Sequence, residues 1–155
     1  MATMSALKDR LRTDLTAAMK AREELRASTL RMALTAITNA EVAGKSAKEL
    51  TDDEVVGVLS SEAKRRREAA TAFDEGDRPE RAERERAEAA VLADYLPTPL
   101  TDAEIAALVE KAIADTGSGE QGMKAMGRVM GVVTPQTPGR ADGGAVAAEV
   151  KRQLG

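Results

Sequence analysis

The chain of 155 residues has no cysteine, histidine or tryptophan, and Phe73 and Tyr95 are its only aromatic residues. Without cysteine or histidine it has no disulfide, thiolate nucleophile, Cys/His zinc site or histidine general base. With two aromatic side chains it has no aromatic platform on which bases could stack. Its core must consist of Leu, Val, Ile, Ala and Met, a composition that favours packed helices over a β-sandwich.

The chain also lacks an uninterrupted apolar run of about 18 residues, the length needed to span a membrane. Its beginning becomes charged at Lys8 and Asp9, without the apolar segment of a signal peptide. We therefore expect a cytoplasmic protein without a membrane partner. The net charge of −3 gives the whole chain little attraction for nucleic acid, so such binding would require a local basic patch.

Apolar residues recur at helical spacing and predict four helices followed by three shorter ones. Pro97 and Pro99 interrupt the pattern between the two groups, because proline blocks the continuation of a helix. The sequence therefore predicts an all-α fold, with an N-terminal bundle of about four helices in residues 1–96 and a small three-helix C-terminal domain in residues 100–155. The predicted helices span residues 5–22, 24–43, 51–76, 79–95, 102–115, 119–132 and 143–154.

Two helix starts carry the pattern of a capping box, at Thr51 with Glu54 and at Thr101 with Glu104. In such a box the hydroxyl and the carboxylate each accept a hydrogen bond from a backbone N–H group that the helix leaves unpaired. Asp142 is expected to be the N-cap of the last helix.

The stretch from residue 62 to residue 88 contains nine acidic and eight basic residues. Because the charges nearly cancel, we interpret it as the solvated face of a helical hairpin and not as a basic binding surface. In the fourth helix, Ala87, Ala90, Val91 and then Leu96 are expected to face inward. The glycine-rich motifs of nucleotide-binding loops are missing, and we assign no catalytic residue, cofactor or metal.

The last part of the chain differs, since five basic residues accompany two acidic ones from residue 123 onward. Gly127 and Gly131 lie four residues apart in a predicted helix, where each glycine costs about 1 kcal/mol relative to alanine. On a helical wheel, Lys124 and Arg128 lie just beyond these glycines. The glycines themselves border a face formed by three methionines, Met123, Met126 and Met130.

Two interpretations of these glycines stay open at the level of sequence. In the first, they form a smooth shelf bordered by positive charge, which the phosphate backbone of RNA can approach closely. In the second, they admit a neighbouring helix while the methionines fill the core. Helical periodicity favours neither.

The chain resembles the GatB/YqeY family over almost its whole length. The most specific matching segment is Met126-Gly-Arg-Val-Met-Gly131, together with Gly139-Arg-Ala-Asp-Gly143. Further matching segments are Asp14-Leu-Thr-Ala-Ala-Met-Lys-Ala-Arg22, Thr29-Leu-Arg-Met32 with Ile37 and Asn39, Tyr95-Leu-Pro97, and Pro135.

The resemblance implies an N-terminal helical bundle and a C-terminal domain like the tail of the B subunit of glutamine-dependent tRNA amidotransferase, which helps to hold the tRNA. The amidotransferase's catalytic parts have no counterpart in this chain. The chain also departs from free-standing relatives, which often carry lysine where Gln136-Thr-Pro138 and Gly144 stand here. This departure lowers the positive charge available to phosphates.

We therefore predict a non-catalytic accessory module that binds tRNA through its phosphates or docks onto a tRNA-handling enzyme. One alternative is a protein–protein adaptor without RNA contact, whose glycine and methionine face receives a partner helix. Another, from the resemblance alone, is a carbon–nitrogen ligase with glutamine as amido-N donor that acts only with partner subunits. The predicted binding residues are Lys124, Gly127, Arg128, Gly131, Gly139, Arg140 and Lys151.

Overall fold

The computed structural model describes residues 5–155. Residues 1–4, where a signal peptide would begin, lie outside the described residues. The described chain is helical and contains no β-strand, which confirms the predicted all-α class. Its α-helices are α1 (Ala6–Lys20), α2 (Glu24–Val42), α3 (Asp52–Glu75), α4 (Pro79–Ala93), α5 (Asp102–Thr116), α6 (Met126–Val133) and α7 (Gly143–Leu154).

The chain divides into two compact units, with the boundary between Leu96 and Pro97. The first unit contains α1 to α4, and the second contains α5 to α7. Whether each unit folds as an independent domain, as the sequence predicts for residues 1–96 and 100–155, stays a prediction.

Both predicted capping boxes are confirmed. The backbone N–H of Glu54 donates to Thr51 Oγ1 at 3.2 Å, and the backbone N–H of Thr51 donates to Glu54 Oε1 at 3.1 Å. The same two bonds join Thr101 and Glu104 at 3.1 and 3.0 Å. Asp142 occupies the N-cap position of α7 as predicted, although its side chain makes no capping hydrogen bond.

The core of the first unit consists mainly of aliphatic side chains from all four helices and of Tyr95. In α4 the predicted inward face is wrong at Ala90, which is exposed, and Ala82, Ala89 and Leu92 are the buried apolar residues of this helix. The prediction is confirmed for Val91 and Leu96, which are half-buried and pack against the core. Alanines occur all around this helix, so they do not define its phase. The inward face is instead defined by the large side chain of Leu92, which is fully buried, because burial of a large apolar side chain contributes most to stability.

The charged stretch of α3 and α4 is not solvated throughout, which corrects the interpretation from sequence. Arg66 is only 5% exposed. Its Nε atom lies 3.2 Å from Glu88 Oε1 on α4, and its Nη1 atom lies 3.2 Å from Glu62 Oε1. A buried charge requires such partners. This cluster of ion pairs therefore joins α3 to α4 inside the first unit.

The second unit has an aliphatic core formed by α5, α6 and α7. The predicted helix over residues 119–132 is wrong at its start, because α6 begins only at Met126, after a 3-10 turn over Gly122–Ala125. Gly122 has a φ of +59°, a left-handed conformation that an α-helix excludes. The predicted inner stripe of α7 is confirmed, since Val146, Val150 and Leu154 are buried.

Candidate functional site

Helix α6 turns one apolar edge toward the core of the second unit. Ala125, Val129 and Val133 lie on this edge and are buried. Gly127 and Gly131 are each two residues away from Val129, which is roughly half a turn around the helix. Both glycines are exposed. They therefore lie on the side of α6 that faces away from the core.

No atom of the second unit packs against these two glycines. A Cβ atom added to Gly127 or to Gly131 would meet nothing within 4 Å. Neither glycine has the positive φ that would exclude other residues. The interpretation in which they admit a neighbouring helix of this unit is therefore wrong, and their cost in helix stability, about 1 kcal/mol each, has no compensation inside the unit.

The three methionines do not form one uniform face. Met126 and Met130 are half-buried and pack against the edge of the core. Met123 lies in the 3-10 turn and is 49% exposed. The core-filling role considered for the methionines is thus confirmed for two of them, and Met123 presents an apolar side chain to the exterior.

Two cations lie beside the glycines. Arg128 is exposed and is in α6, and its Nη1 atom donates to Gln121 Oε1 over a long distance of 3.5 Å. Lys124 is exposed and makes no hydrogen bond or ion pair with any residue that the structure describes. We call Lys124, Gly127, Arg128 and Gly131 the α6 face. Gly127, Arg128 and Gly131 share one side of α6, because residues three or four positions apart on a helix are neighbours. Lys124 precedes them in the 3-10 turn that leads into α6.

Gly139 and Arg140 belong to the loop before α7, and this loop has a structural role. Gly139 adopts a φ of +70°, which favours glycine. Arg140 Nε donates to the backbone oxygen of Thr98 at 3.0 Å, and the oxygen of Arg140 accepts from Leu100 N–H at 2.7 Å. The loop therefore holds the segment that leads into α5. Nothing in the sequence indicated this partner of Arg140.

The last predicted binding residue, Lys151, lies on α7 next to the buried Val150. It is exposed and has no hydrogen-bond or ion-pair partner among the described residues. One turn later, the Leu154 oxygen is 3.9 Å from a Cβ atom placed on Gly122, so the end of α7 meets the turn that carries Lys124. The neighbouring Arg152 instead pairs with Glu149 at 2.5 Å, which lowers the pKa of that carboxyl to about 2.

Charge within the second unit is unevenly distributed. Helix α5 carries four acidic residues and one lysine, whereas the chain from residue 123 onward carries five basic and two acidic residues. Glu104 on α5 has a lowered pKa, chiefly because it accepts from the Thr101 backbone, and the charge of Arg140 lowers it further. The α6 face thus belongs to the positive part of a unit that is nearly neutral as a whole.

Two grooves were not predicted from sequence. One, with a volume of about 480 Å³, is lined in part by Leu100, Leu108 and Arg140 of the second unit. The other, of about 710 Å³, lies along α2 and α3 in the first unit. Its charged rim is internally neutralised, because Lys48 pairs with Glu54 at 2.9 Å and Arg65 pairs with Glu62 at 3.3 Å. It therefore offers little charge to a ligand.

Within residues 5–155, no helix has both the length and the apolar character to span a membrane. In the same range, no group of three or more acidic side chains is placed to hold a metal ion. A search of curated proteins gives no match to this chain. The family model described as Yqey-like protein matches residues 8–154. Because this match covers nearly the whole sequence, the chain belongs to the family of Yqey-like proteins.

Proposed function

We propose that the protein is a non-catalytic accessory module that binds tRNA through phosphate contacts on its second unit. The observation that carries this proposal is the α6 face, where two glycines leave the helix bare and two cations beside them have no acidic partner. A helix that gives up stability at two exposed positions without internal compensation is best explained by close approach of something from outside.

The charges of this face favour an anionic partner. Lys124 and Arg128 provide donors for phosphate oxygens, and Lys151 adds a third unpaired cation at the end of the unit where α7 meets the Lys124 turn. Phosphate contacts of this kind position a nucleic acid without reading its sequence. Arg140 is engaged with Thr98, and we therefore assign it and Gly139 to the shape of the loop and not to the first contacts with RNA.

Filter binding of bulk tRNA to the full chain at low salt tests this proposal. The double variant Lys124→Glu with Arg128→Glu is expected to weaken binding by at least about tenfold and to lower the salt slope by about two. The matched control is Arg31→Glu with Arg67→Glu in the first unit, which changes the net charge equally at two exposed cations without ion-pair partners. Equal losses in both pairs, or no tRNA binding by the native chain, would reject the proposal.

One observation favours the adaptor function as a second candidate, namely the exposure of Met123 beside the glycines. A partner helix could lay apolar side chains on this methionine and on the bare backbone of α6. Such an interaction would tolerate salt and fail in Gly127→Leu, whereas RNA binding weakens steeply as salt rises. Binding of a protein partner that persists at high salt in Lys124→Glu with Arg128→Glu would favour the adaptor.

A further inference from the structure

The RNA contact proposed above can be narrowed to one kind of RNA structure. Proteins hold unpaired bases chiefly by stacking them on aromatic side chains and by hydrogen bonds to their edges. Residues 97–155 contain no aromatic residue, and the centre of the α6 face consists of two glycines. Arg128 is the only side chain of this face on which a base could stack, through its guanidinium plane, and no side chain at the centre of the face could bond to a base edge.

What the face offers instead is a strip of exposed helix backbone at Gly127 and Gly131, with two exposed cations close to them in sequence. Gly127 and Gly131 are separated by one turn, about 6 Å along the helix axis. Covering a strip without side chains costs no rotamer entropy. Such a strip suits a partner that is itself rigid and regular, because a flexible single strand would lose its own conformational freedom with at most one stacking contact, on Arg128, to offset that loss.

A base-paired RNA helix has a surface of this kind. Its minor groove is wide and shallow and exposes 2′-hydroxyl groups between two rows of phosphates, whereas its major groove is too deep and narrow to admit side chains. The minor groove of B-form DNA, about 6 Å wide, is narrower than an α-helix, whose diameter is about 10 Å. We propose that the α6 face lies across the minor groove of double-stranded RNA, with the glycines over the sugars and with Lys124 and Arg128 at the phosphates of one strand.

This inference rests on the proposed RNA-binding function, and the experiment separates the two. Fluorescence anisotropy compares the full chain bound to an RNA duplex of about 16 base pairs, to oligouridine of the same length and to a DNA duplex of the same sequence. At equal salt, the RNA duplex is expected to bind at least about tenfold more tightly than either competitor, a difference of about 1.4 kcal/mol. Bulk tRNA serves as the reference ligand.

The variants test whether the bare helix makes this contact. Gly127→Leu with Gly131→Leu is expected to lower affinity for the RNA duplex at least about tenfold and to leave the weak binding of oligouridine unchanged. Gly57→Leu is the matched control, since Gly57 is exposed in α3 and a Cβ atom there also meets nothing within 4 Å. If circular dichroism shows that the leucine pair does not fold, Gly127→Ala with Gly131→Ala decides, with an expected loss of about threefold.

Several results would overturn the inference. Oligouridine or B-form DNA that binds as tightly as the RNA duplex would show that charge alone attracts the ligand. A folded glycine variant with native affinity for the duplex would show that the helix backbone is not in contact. In either case, intact binding of tRNA would leave the proposed function standing, whereas failure of tRNA itself to bind would reject both.

Discussion

The two units of this chain differ in whether charged side chains are buried in them. The first unit buries Lys8 and Arg66, each less than 10% exposed, and satisfies them with carboxylates. Among the described residues of the second unit, the only buried polar side chains are Ser118 and Thr137. One unit thus uses ionic groups to join its helices, and the other is held by aliphatic packing.

The difference extends to the surface. Most cations of the first unit lie within 4 Å of an acidic group. Among the six cations of the second unit, all of which are described, only Lys111 and Arg152 do so. The remaining four are Lys124, Arg128, Arg140 and Lys151. A larger share of the cations of the second unit therefore lies away from acidic groups. Of these four, Arg140 is bonded to the Thr98 backbone oxygen, and the other three are open to an external anion.

The largest effect is expected from removal of Arg66, one of the two cations buried among the described residues of the first unit. Arg66→Met should lower the free energy of unfolding by about 3 kcal/mol, because it removes the buried partner of Glu62 and Glu88. Glu88 then keeps only the half-exposed Arg84, at 3.4 Å. Tyr95 is the only tyrosine in a chain without tryptophan, so its fluorescence during urea denaturation reports the unfolding of this unit.

Two further variants test whether burial, and not charge as such, causes that loss. Adding Glu88→Leu to Arg66→Met should restore most of the stability, since an apolar pair can replace a buried ion pair. Lys111→Met in the second unit breaks only an exposed pair with Asp115 and should cost less than about 1 kcal/mol. A loss in Arg66→Met no larger than that in Lys111→Met would remove the contrast between the units.

A smaller effect should distinguish the two arginines of the second unit. Arg140→Ala removes the bond to the Thr98 backbone and should cost about 2 kcal/mol, within the usual range for a hydrogen bond to a charged group. Arg128→Ala should change stability by less than about 0.5 kcal/mol. Amide hydrogen exchange in α5, α6 and α7 measures both. Equal protection in the two variants would show that Arg140 does not hold the loop.

Local interactions were predictable from sequence, and long-range ones were not. Each capping box involves residues three positions apart, so Thr51 and Thr101 could be assigned without knowledge of the fold. Arg66 and its partner Glu88 are 22 residues apart, and the pattern of alternating charges gave no reason to single out this pair. The beginning of α6 was missed because its position depends on the backbone of Gly122, and glycine adopts both signs of φ readily.

The candidate site shows the same division. The spacing of Gly127, Arg128 and Gly131 is a property of one helix and was predicted, whereas Lys124 lies in the 3-10 turn before that helix. Whether that side of the helix packs inward depends on α5 and α7, so the sequence left two interpretations and the structure was needed to choose between them. The engagement of Arg140 with Thr98 spans 42 residues and could not be predicted from periodicity.

Replacing the glycines with alanine compares helices from the two units at matched positions. Gly127→Ala and Gly131→Ala should each raise the free energy of unfolding by about 0.5–1 kcal/mol, because the new methyl group meets no neighbour. Gly57→Ala in α3 should stabilise the first unit by a similar amount. Thermal unfolding followed by circular dichroism measures these changes.

Binding of tRNA should distinguish Gly127 and Gly131 from Gly57, although replacing any of the three with alanine has a similar effect on stability. The stabilised α6 variants should bind tRNA more weakly than the native chain, whereas Gly57→Ala should bind it equally well. A loss of binding that accompanies a gain in stability is the expected result where a helix surface is kept bare for a ligand. Native tRNA binding by the α6 variants would show that the bare strip serves no RNA contact.

The smallest effect at neutral pH is expected from the ionisation of the Tyr95 hydroxyl, which changes the stability of the first unit only in alkaline solution. Burial raises the pKa of Tyr95 to about 12, and its hydrogen bond of 2.6 Å to Asp14 Oδ2 contributes in the same direction. Because the folded pKa exceeds the ordinary value of 10.0, the stabilisation is complete below pH 10. It decreases as pH rises from about 10 toward 12, since the unfolded chain releases the proton first. Tyrosinate absorbance measures this single titration directly.

Two variants assign that titration to its cause and relate it to the contrast between the units. Asp14→Asn removes the negative charge next to the hydroxyl and should move the pKa of Tyr95 part of the way back toward 10.0. Tyr95→Phe should abolish the loss of stability that begins near pH 10, apart from what the lysines contribute in both proteins. The second unit has no tyrosine, so alkaline destabilisation that persists unchanged in Tyr95→Phe would have to arise elsewhere. It would then not be a consequence of the buried Tyr95 hydroxyl of the first unit.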